Sequence, residues 1–521
     1  MREFLRHNRN WISNLKPNST NKTQLVLFEE FHDYPRFIAL SYLAQYWASR
    51  GYVLASYKPG LPQNLKQWLV RIFQPLLPLK HPIRTTSQVF KSLSIDRQIR
   101  PKLAKLSDYE KGIINQLIGA PENEILNLKY MDIAIGQNYY DWYLRSHQKA
   151  TIDTNSLEFI KTLERFLQLV KWWLDFFKAN EIAAVNVTHS VYAQGIISRI
   201  AISRNIPCLV VSFDKLYSLS LESPNSECEF REYNLESDSF YEYKLDSIKS
   251  LYGIQSLIKG DAFVTRVHGN NSGFHGANLN FEFPNSSCKF KSMIAAHCFS
   301  DAPHQLGEFL FEDFYKWLEF LLQHASESHH TWFVKPHPHF SKAEEEIFDT
   351  LLRSYPKVYK IPKDVSNVEI FKNGINSVFT VHGTIALDAA IQGVTPIAAS
   401  NNASFKNYGF VIQPKTVQEL EQIVLNIENY VEGHSINLEE LTHYFGVHFL
   451  REMNTWIFRD KLGDISNKVG NYNNIFQDEK ILRYWLQDLY SEKYHKSNLD
   501  RIDDFLFSGR YFVDGHYFAE N

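Results

Sequence analysis

Five positions of the segment FVKPHPHF (333–340) hold a lysine and two histidines, Lys335, His337 and His339, with prolines between them. An apolar pair precedes them, so they stand where a buried strand ends. Prolines restrict the backbone on both sides and should keep the segment extended. Three such side chains can donate charge-assisted hydrogen bonds to an anion, each worth about 1.5–3 kcal/mol. A second stretch, VFTVHGTIALDAAIQGVTPIA (378–398), reads strand, His382-Gly383-Thr384, helix. Gly383 permits a tight turn and Thr384 can cap the helix. Free N–H groups at that helix start favour phosphate. Asp388 follows Thr384 by one helical turn and could reach a ribose hydroxyl or a sugar. A third stretch, HCFSDAPHQLGEFLFEDFYKWL (297–318), places Asp301 and His304 in a loop. They could serve as base and orienting partner, or Ser300 or Asp301 could cap a helix over 305–325. In the first half, IAIGQNYYDWYLR (133–145) carries Gly136, Gln137, Asn138, Tyr140, Asp141 and Arg145. THSVYAQGIISRIA (188–201) carries His189, Ser190, Tyr192 and Gln194. Either could hold an acceptor, and helix amphipathicity explains much of both.

These residues need rigid elements behind them. TQLVLFEE (23–30), a helix over 34–51 closed by Gly51, and YVLASY (52–57) form a β-α-β unit. Residues 61–180 read mostly helical, and 182–189 and 206–213 are further strands flanking a helix over 190–205. Between 222 and 290 the chain turns rich in Asn, Ser, Gly and charge, as expected of loop or interdomain connection. Beyond 290, strands at 292–299, 331–335, 357–361, 377–381 and 395–400 alternate with helices at 305–325, 342–355, 365–373 and 384–393. That is the pattern of a doubly wound parallel sheet, whose ligands bind beyond the carboxyl ends of the strands. Residues 433–521 are aromatic and helix-like, without a legible strand.

The chain has 521 residues, enough for at least two cores. Its net charge is −3, which gives no basic field for nucleic acid. The four cysteines, Cys208, Cys228, Cys288 and Cys298, lack zinc-ribbon spacing. The N-terminus shows no apolar signal region and no 18-residue apolar run occurs, so a cytoplasmic protein is expected. The strand ends carry no D-x-D pair suited to a metal–pyrophosphate clamp.

VKPHPHF, FSDAPHQLGEFLFEDFYKWL, TVHGTIALDAAIQGVTPIA and IGQNYYDWYLR together resemble bacterial capsule polysaccharide biosynthesis proteins of the β-Kdo transferase kind. The likeness is clearest over 292–412 and weaker over 130–215. It implies a GT-B-like α/β fold: two Rossmann-like lobes facing a cleft, with a helical C-terminal tail. The expected segments are an acceptor-side lobe with a helical insertion (1–290), a nucleotide-donor lobe (291–432) and a helical extension (433–521). It further implies a metal-independent glycosyltransferase that takes a CMP-sugar such as CMP-Kdo to a glycan or glycolipid acceptor of the cell surface. No cofactor is expected, since the nucleotide-sugar is substrate. Peripheral association with the inner membrane or capsule assembly machinery would fit such a role. Lys335, His337, His382, Gly383, Thr384 and Asp388 are then the donor-site candidates, with His337-Pro338 and Thr384 at the positions that match the phosphate-holding motifs of GT-B sialyltransferases. Asp301, His304 and Asp141 are the candidates for the chemistry. Two departures stand out: Asp388 where the family usually carries Glu, and Asn138 where an acid is commoner. A teichoic-acid-type transferase using a CDP-polyol, and a non-catalytic assembly or export protein on the same scaffold, are the competing readings.

Overall fold

The computed structural model describes residues 1–15, 23–60, 81–212, 215–225, 281–284, 288, 290–305, 309–400, 408–445, 456–457, 479–489, 492–509 and 512–513. The fold is α/β with two Rossmann-like lobes. In the first, β1 (Leu25–Glu29), β2 (Val53–Tyr57), β3 (Arg97–Ile99), β6 (Ile182–Val187) and β7 (Cys208–Val211) run parallel in the order β3-β2-β1-β6-β7. Every residue of β1 is buried, as expected of a central parallel strand covered on both faces. In the second, β9 (Lys291–Ala295), β10 (Thr331–Lys335), β11 (Val358–Lys360), β12 (Ser377–Thr380) and β13 (Thr395–Ala398) form a parallel sheet ordered β11-β10-β9-β12-β13. Each lobe reverses strand order beside its first strand, between β1 and β6 and between β9 and β12. A crevice at the carboxyl ends is the consequence.

The helix Tyr34–Ser49 is buried almost all round, against the one-sided pattern of a surface helix. The first sheet covers one side of it. The helices Arg2–Ser13, Lys480–Tyr484 and Glu492–Ser508 cover the rest, in one core with Trp456 and Trp485. Its end follows the expected chemistry: Asp33 accepts a hydrogen bond from Arg36 N, and Gly51 closes the far end at φ +79°. Tail and lobe are also joined by Asp503, which accepts from Tyr46 Oη and Arg50 Nη2 at 2.6 Å each.

Several expectations differ from the structure. The tail is not purely helical: β14 (Phe512–Val513) pairs antiparallel with β8 (Leu216–Leu219), itself antiparallel to β7. Two- and four-residue strands carry too little alternation to be legible. For the same reason the region read as helical also contains β3 and the hairpin β4 (Lys129–Tyr130) and β5 (Ile133–Ala134). The portions of that reading over 61–80, and most of the loop reading over 222–290, lie outside the described residues. The helix expected over 305–325 begins only at Phe314 and runs to Glu327, with Asp313 as its cap. Ser300 and Asp301 therefore do not cap it. The core, not the polar loop, decides the start: Trp317, Leu318, Leu321 and Leu322 set the buried face, and Asp313 is the first cap-forming residue before them.

Candidate functional site

At the carboxyl end of β10 the chain does not continue extended. Phe340 N donates to His337 O at 3.1 Å, closing a turn with Pro338 at its second position, where proline's fixed φ fits. The prolines thus bend the segment instead of stretching it. The turn aims two donors at one ring atom: Cys298 Sγ lies 3.1 Å and His339 N 3.2 Å from His337 Nδ1. Burial pushes the Cys298 thiol up to about 12, with Glu344 and Asp301 adding to it, so sulfur carries its hydrogen. Nδ1 therefore accepts, and the neutral ring holds its hydrogen on Nε2. Burial, reinforced by His339, lowers His337 to about 4, so the ring stays neutral at pH 7. The result is one oriented, uncharged Nε2–H donor.

Across the switch point stand His297, at the end of β9, and His382, after β12. Their rings are 5.0 Å apart. His297 Nε2 accepts from Val381 N at 3.1 Å and meets Thr380 Oγ1 at 3.0 Å, which puts its hydrogen on Nδ1. Phe314 stacks on the His297 ring at 4.7 Å. Burial holds His297 well below its ordinary value, helped by His382 and His337, and lowers His382 to about 4. Gly383 N donates to Thr380 Oγ1 at 3.2 Å, and a Cβ at Gly383 would come within 2.7 Å of that oxygen. The close approach therefore requires glycine. Thr384 precedes a helix of only seven residues, Ile385–Ile391, with helical dihedrals and no side-chain cap bond. The expected cap is absent, and the exposed hydroxyl is not used by the helix.

Lys335 and Asp388 are joined through a third residue. Lys335 Nζ donates to Val365 O at 2.7 Å and to Asn367 Oδ1 at 2.8 Å, and Asn367 Nδ2 donates to Asp388 Oδ2 at 3.1 Å. Burial lowers Lys335 to about 8 and raises Asp388 to about 6. The three brace the loop between β11 and the helix Asn367–Lys372 under the site.

The first lobe supplies the opposite wall. Tyr192 Oη donates to Asp301 Oδ1 at 3.2 Å, and Arg145 Nη1 lies 3.9 Å from the same oxygen. Tyr192 and Ala302 both have left-handed backbones, φ +55° and +40°. Such strain persists only where surrounding structure holds it. Asn138 supplies part of that hold: Nδ2 donates to Tyr192 O at 2.9 Å and Ser190 O at 3.3 Å, while Oδ1 accepts from Arg199 Nε at 3.1 Å. Both carbonyls need a donor, which an acid here could not supply. Gly195 lets this loop close, since a Cβ there would lie 2.0 Å from Ser190 O.

Asp141 and His304 lie inside the contact between lobes, 3% and 5% exposed. His304 Nδ1 meets Asp141 Oδ1 at 2.5 Å, and Nε2 meets Glu312 O at 3.0 Å. Both ring nitrogens face acceptors, which favours the doubly protonated ring. Burial pulls its pKa down, but Asp141 by charge and hydrogen bond, then Asp313, outweigh this and raise it. Tyr140 Oη donates to Asp313 Oδ2 at 2.7 Å, beside the pair.

The structure thus gathers His337, His382, Gly383, Thr384 and Asp301 along the cleft-facing loops. It places Lys335 and Asp388 beneath them and buries Asp141 and His304. Residues that escaped the sequence reading are His297, Cys298 and Glu29. Glu29 ends β1 at the first lobe's switch point, accepts from Thr188 N at 2.6 Å, and is pushed up to about 7 by burial. The rule that ligands lie at strand carboxyl ends would have found His297 and Glu29, each at the end of its lobe's first strand.

No family model matches the chain, and no curated protein does. Similar solved structures include the β-Kdo 2,4 transferase KpsC of Thermosulfurimonas dismutans, at 12% identity and TM-score 0.31 over 52% of this chain and 85% of that one. UDP-GlcNAc 2-epimerase from Neisseria meningitidis, bound to UDP-GlcNAc, gives 11% and 0.25 over 82% and 98%. Sucrose-phosphate synthase of Thermosynechococcus elongatus gives 12% and 0.26 over 89% and 99%.

Proposed function

We propose that the chain is a GT-B-type, metal-independent glycosyltransferase that moves a sugar from a nucleotide-activated donor, a CMP-sugar such as CMP-Kdo, onto a surface polysaccharide. The observation that carries this reading is the His337 ring: neutral, oriented by Cys298 and His339 N, with Nε2–H as its donor at the carboxyl end of β10. As the sugar–phosphate bond breaks, charge builds on the departing phosphate. A preorganised donor strengthens there more than in the ground state. Thr384 Oγ1 and the Gly383 loop supply further polar contacts at the next strand end. Lys335 and Asp388 position that floor through Asn367. Asp301, held by Tyr192 and facing Arg145, is the acceptor-side group. Asp141 and His304 act as the buried clasp that sets the distance between the walls.

The test is a transfer assay with CMP-Kdo, other CMP-sugars, UDP-sugars and CDP-glycerol. His337→Ala should cut turnover by about 10²–10³. Turnover of CDP-glycerol alone would replace the sugar-transfer reading with polyol-phosphate transfer. Absence of turnover with every donor would leave a non-catalytic scaffold.

A further inference from the structure

At the other end of β10, before Thr331, the chain carries a second histidine pair. His329 and His330 stand with ring centroids 3.8 Å apart, and Glu428 reaches them from the helix Ile427–Gly433. One ligand atom from each of the three lies within 4.8 Å of the others. We propose that His329, His330 and Glu428 form a site for a divalent transition ion of the Zn²⁺ class, pinning the helix Ile427–Gly433 to the edge of the second sheet.

The His330 side chain is only 4% exposed, yet its Nδ1 makes no hydrogen bond. A buried ring nitrogen that makes no hydrogen bond costs free energy that a ligand would recover. That atom lies 3.5 Å from Glu428 Oε1. Zinc bonds of about 2.0–2.1 Å to nitrogen and carboxylate oxygen imply a ligand–ligand edge of about 3.4 Å in a tetrahedron. The spacing therefore fits one metal between the two atoms. The ring is held by Phe290 at 5.1 Å, and His330 N by Ser328 Oγ at 3.1 Å. His329 and Glu428 are exposed, so the third ligand can swing in and water can fill the fourth position. Two imidazoles and one carboxylate suit zinc, and do not suit magnesium, which prefers oxygen. Five residues of β10, about 16 Å, separate this site from His337, so it is structural and outside the transfer chemistry.

The test is calorimetric titration of the metal-free full chain with ZnCl₂ alone, beside thermal unfolding with Zn²⁺ or Mg²⁺. The expected result is one Zn²⁺ bound per chain and a higher Tm with zinc only. His329→Ala and Glu428→Gln, both exposed positions, should fold normally and weaken binding more than the roughly 10–100-fold that follows loss of an outer partner. His329→Ala should leave turnover unchanged. Zinc binding that is absent, or equally tight in both variants, overturns the assignment.

Discussion

Removing either partner of the His304–Asp141 pair should cost the protein far more than removing both. The pair joins the helix Gly136–His147 of the first lobe to the loop after β9 in the second, with both side chains at most 5% exposed. His304→Ala leaves the Asp141 carboxylate buried without its cation, and Asp141→Ala leaves a buried imidazolium. Stranding one charge of a buried pair costs about 3–5 kcal/mol, whereas deleting both removes the desolvation penalty as well. Urea unfolding of the wild type, both single variants and the double variant should give a coupling energy at least as large as either single loss, above about 3 kcal/mol. The pH dependence follows from the raised His304 pKa. A raised folded value means the contribution is complete below the unfolded value, near 6.5, and is lost as pH climbs through the folded one. The pair should therefore stabilise the wild type at pH 6 and contribute less by pH 9. Additive single losses, or a contribution unchanged between those pH values, would refute the ion-pair reasoning.

Other consequences are as direct. Glu29 is pushed from 4.5 to about 7, so the native state binds its proton more tightly than the unfolded chain. Stability should then fall as pH rises across that interval, by at most about 3 kcal/mol, and Glu29→Gln should remove the slope in urea titrations at pH 5 and 8. Gly195→Ala forces a Cβ against Ser190 O and Asn138 Nδ2, so it should destabilise by about 1–3 kcal/mol or more and impair acceptor use, measured as a raised KM. Chelation with EDTA should lower the melting temperature through the His330 site and leave turnover unaffected.

Much of the fold was legible because parallel strands are continuous apolar runs. LVLFE, TWFVK and SVFT need no tertiary context to be read as strands. The short edge elements β3, β8 and β14 were not, because pairing rather than pattern makes them strands. The site was legible as a set of strand ends but not as roles. His304 and Asp301 are three positions apart, yet one is sealed between lobes and the other stands 58% exposed in the cleft. Nothing in DAPH distinguishes them. That depends on Asp141 and Tyr192, more than a hundred residues away. Likewise Asn138 looks like a weakened acid until Arg199 and the carbonyls of Ser190 and Tyr192 surround it.

If the turn after β10 holds the phosphate of a nucleotide, nucleotide affinity must depend on His337. Calorimetric titration of CMP, CDP, UDP and GDP into the wild type, His337→Ala and His339→Ala tests it most directly. One cytidine nucleotide should bind per wild-type chain, and at least about tenfold more weakly in His337→Ala, the loss of one hydrogen bond to a charged group. His339→Ala should bind nearly as the wild type does, since its backbone N–H to His337 remains. A wild type that binds none of the four, or a His337→Ala variant that binds as tightly as the wild type, would contradict it.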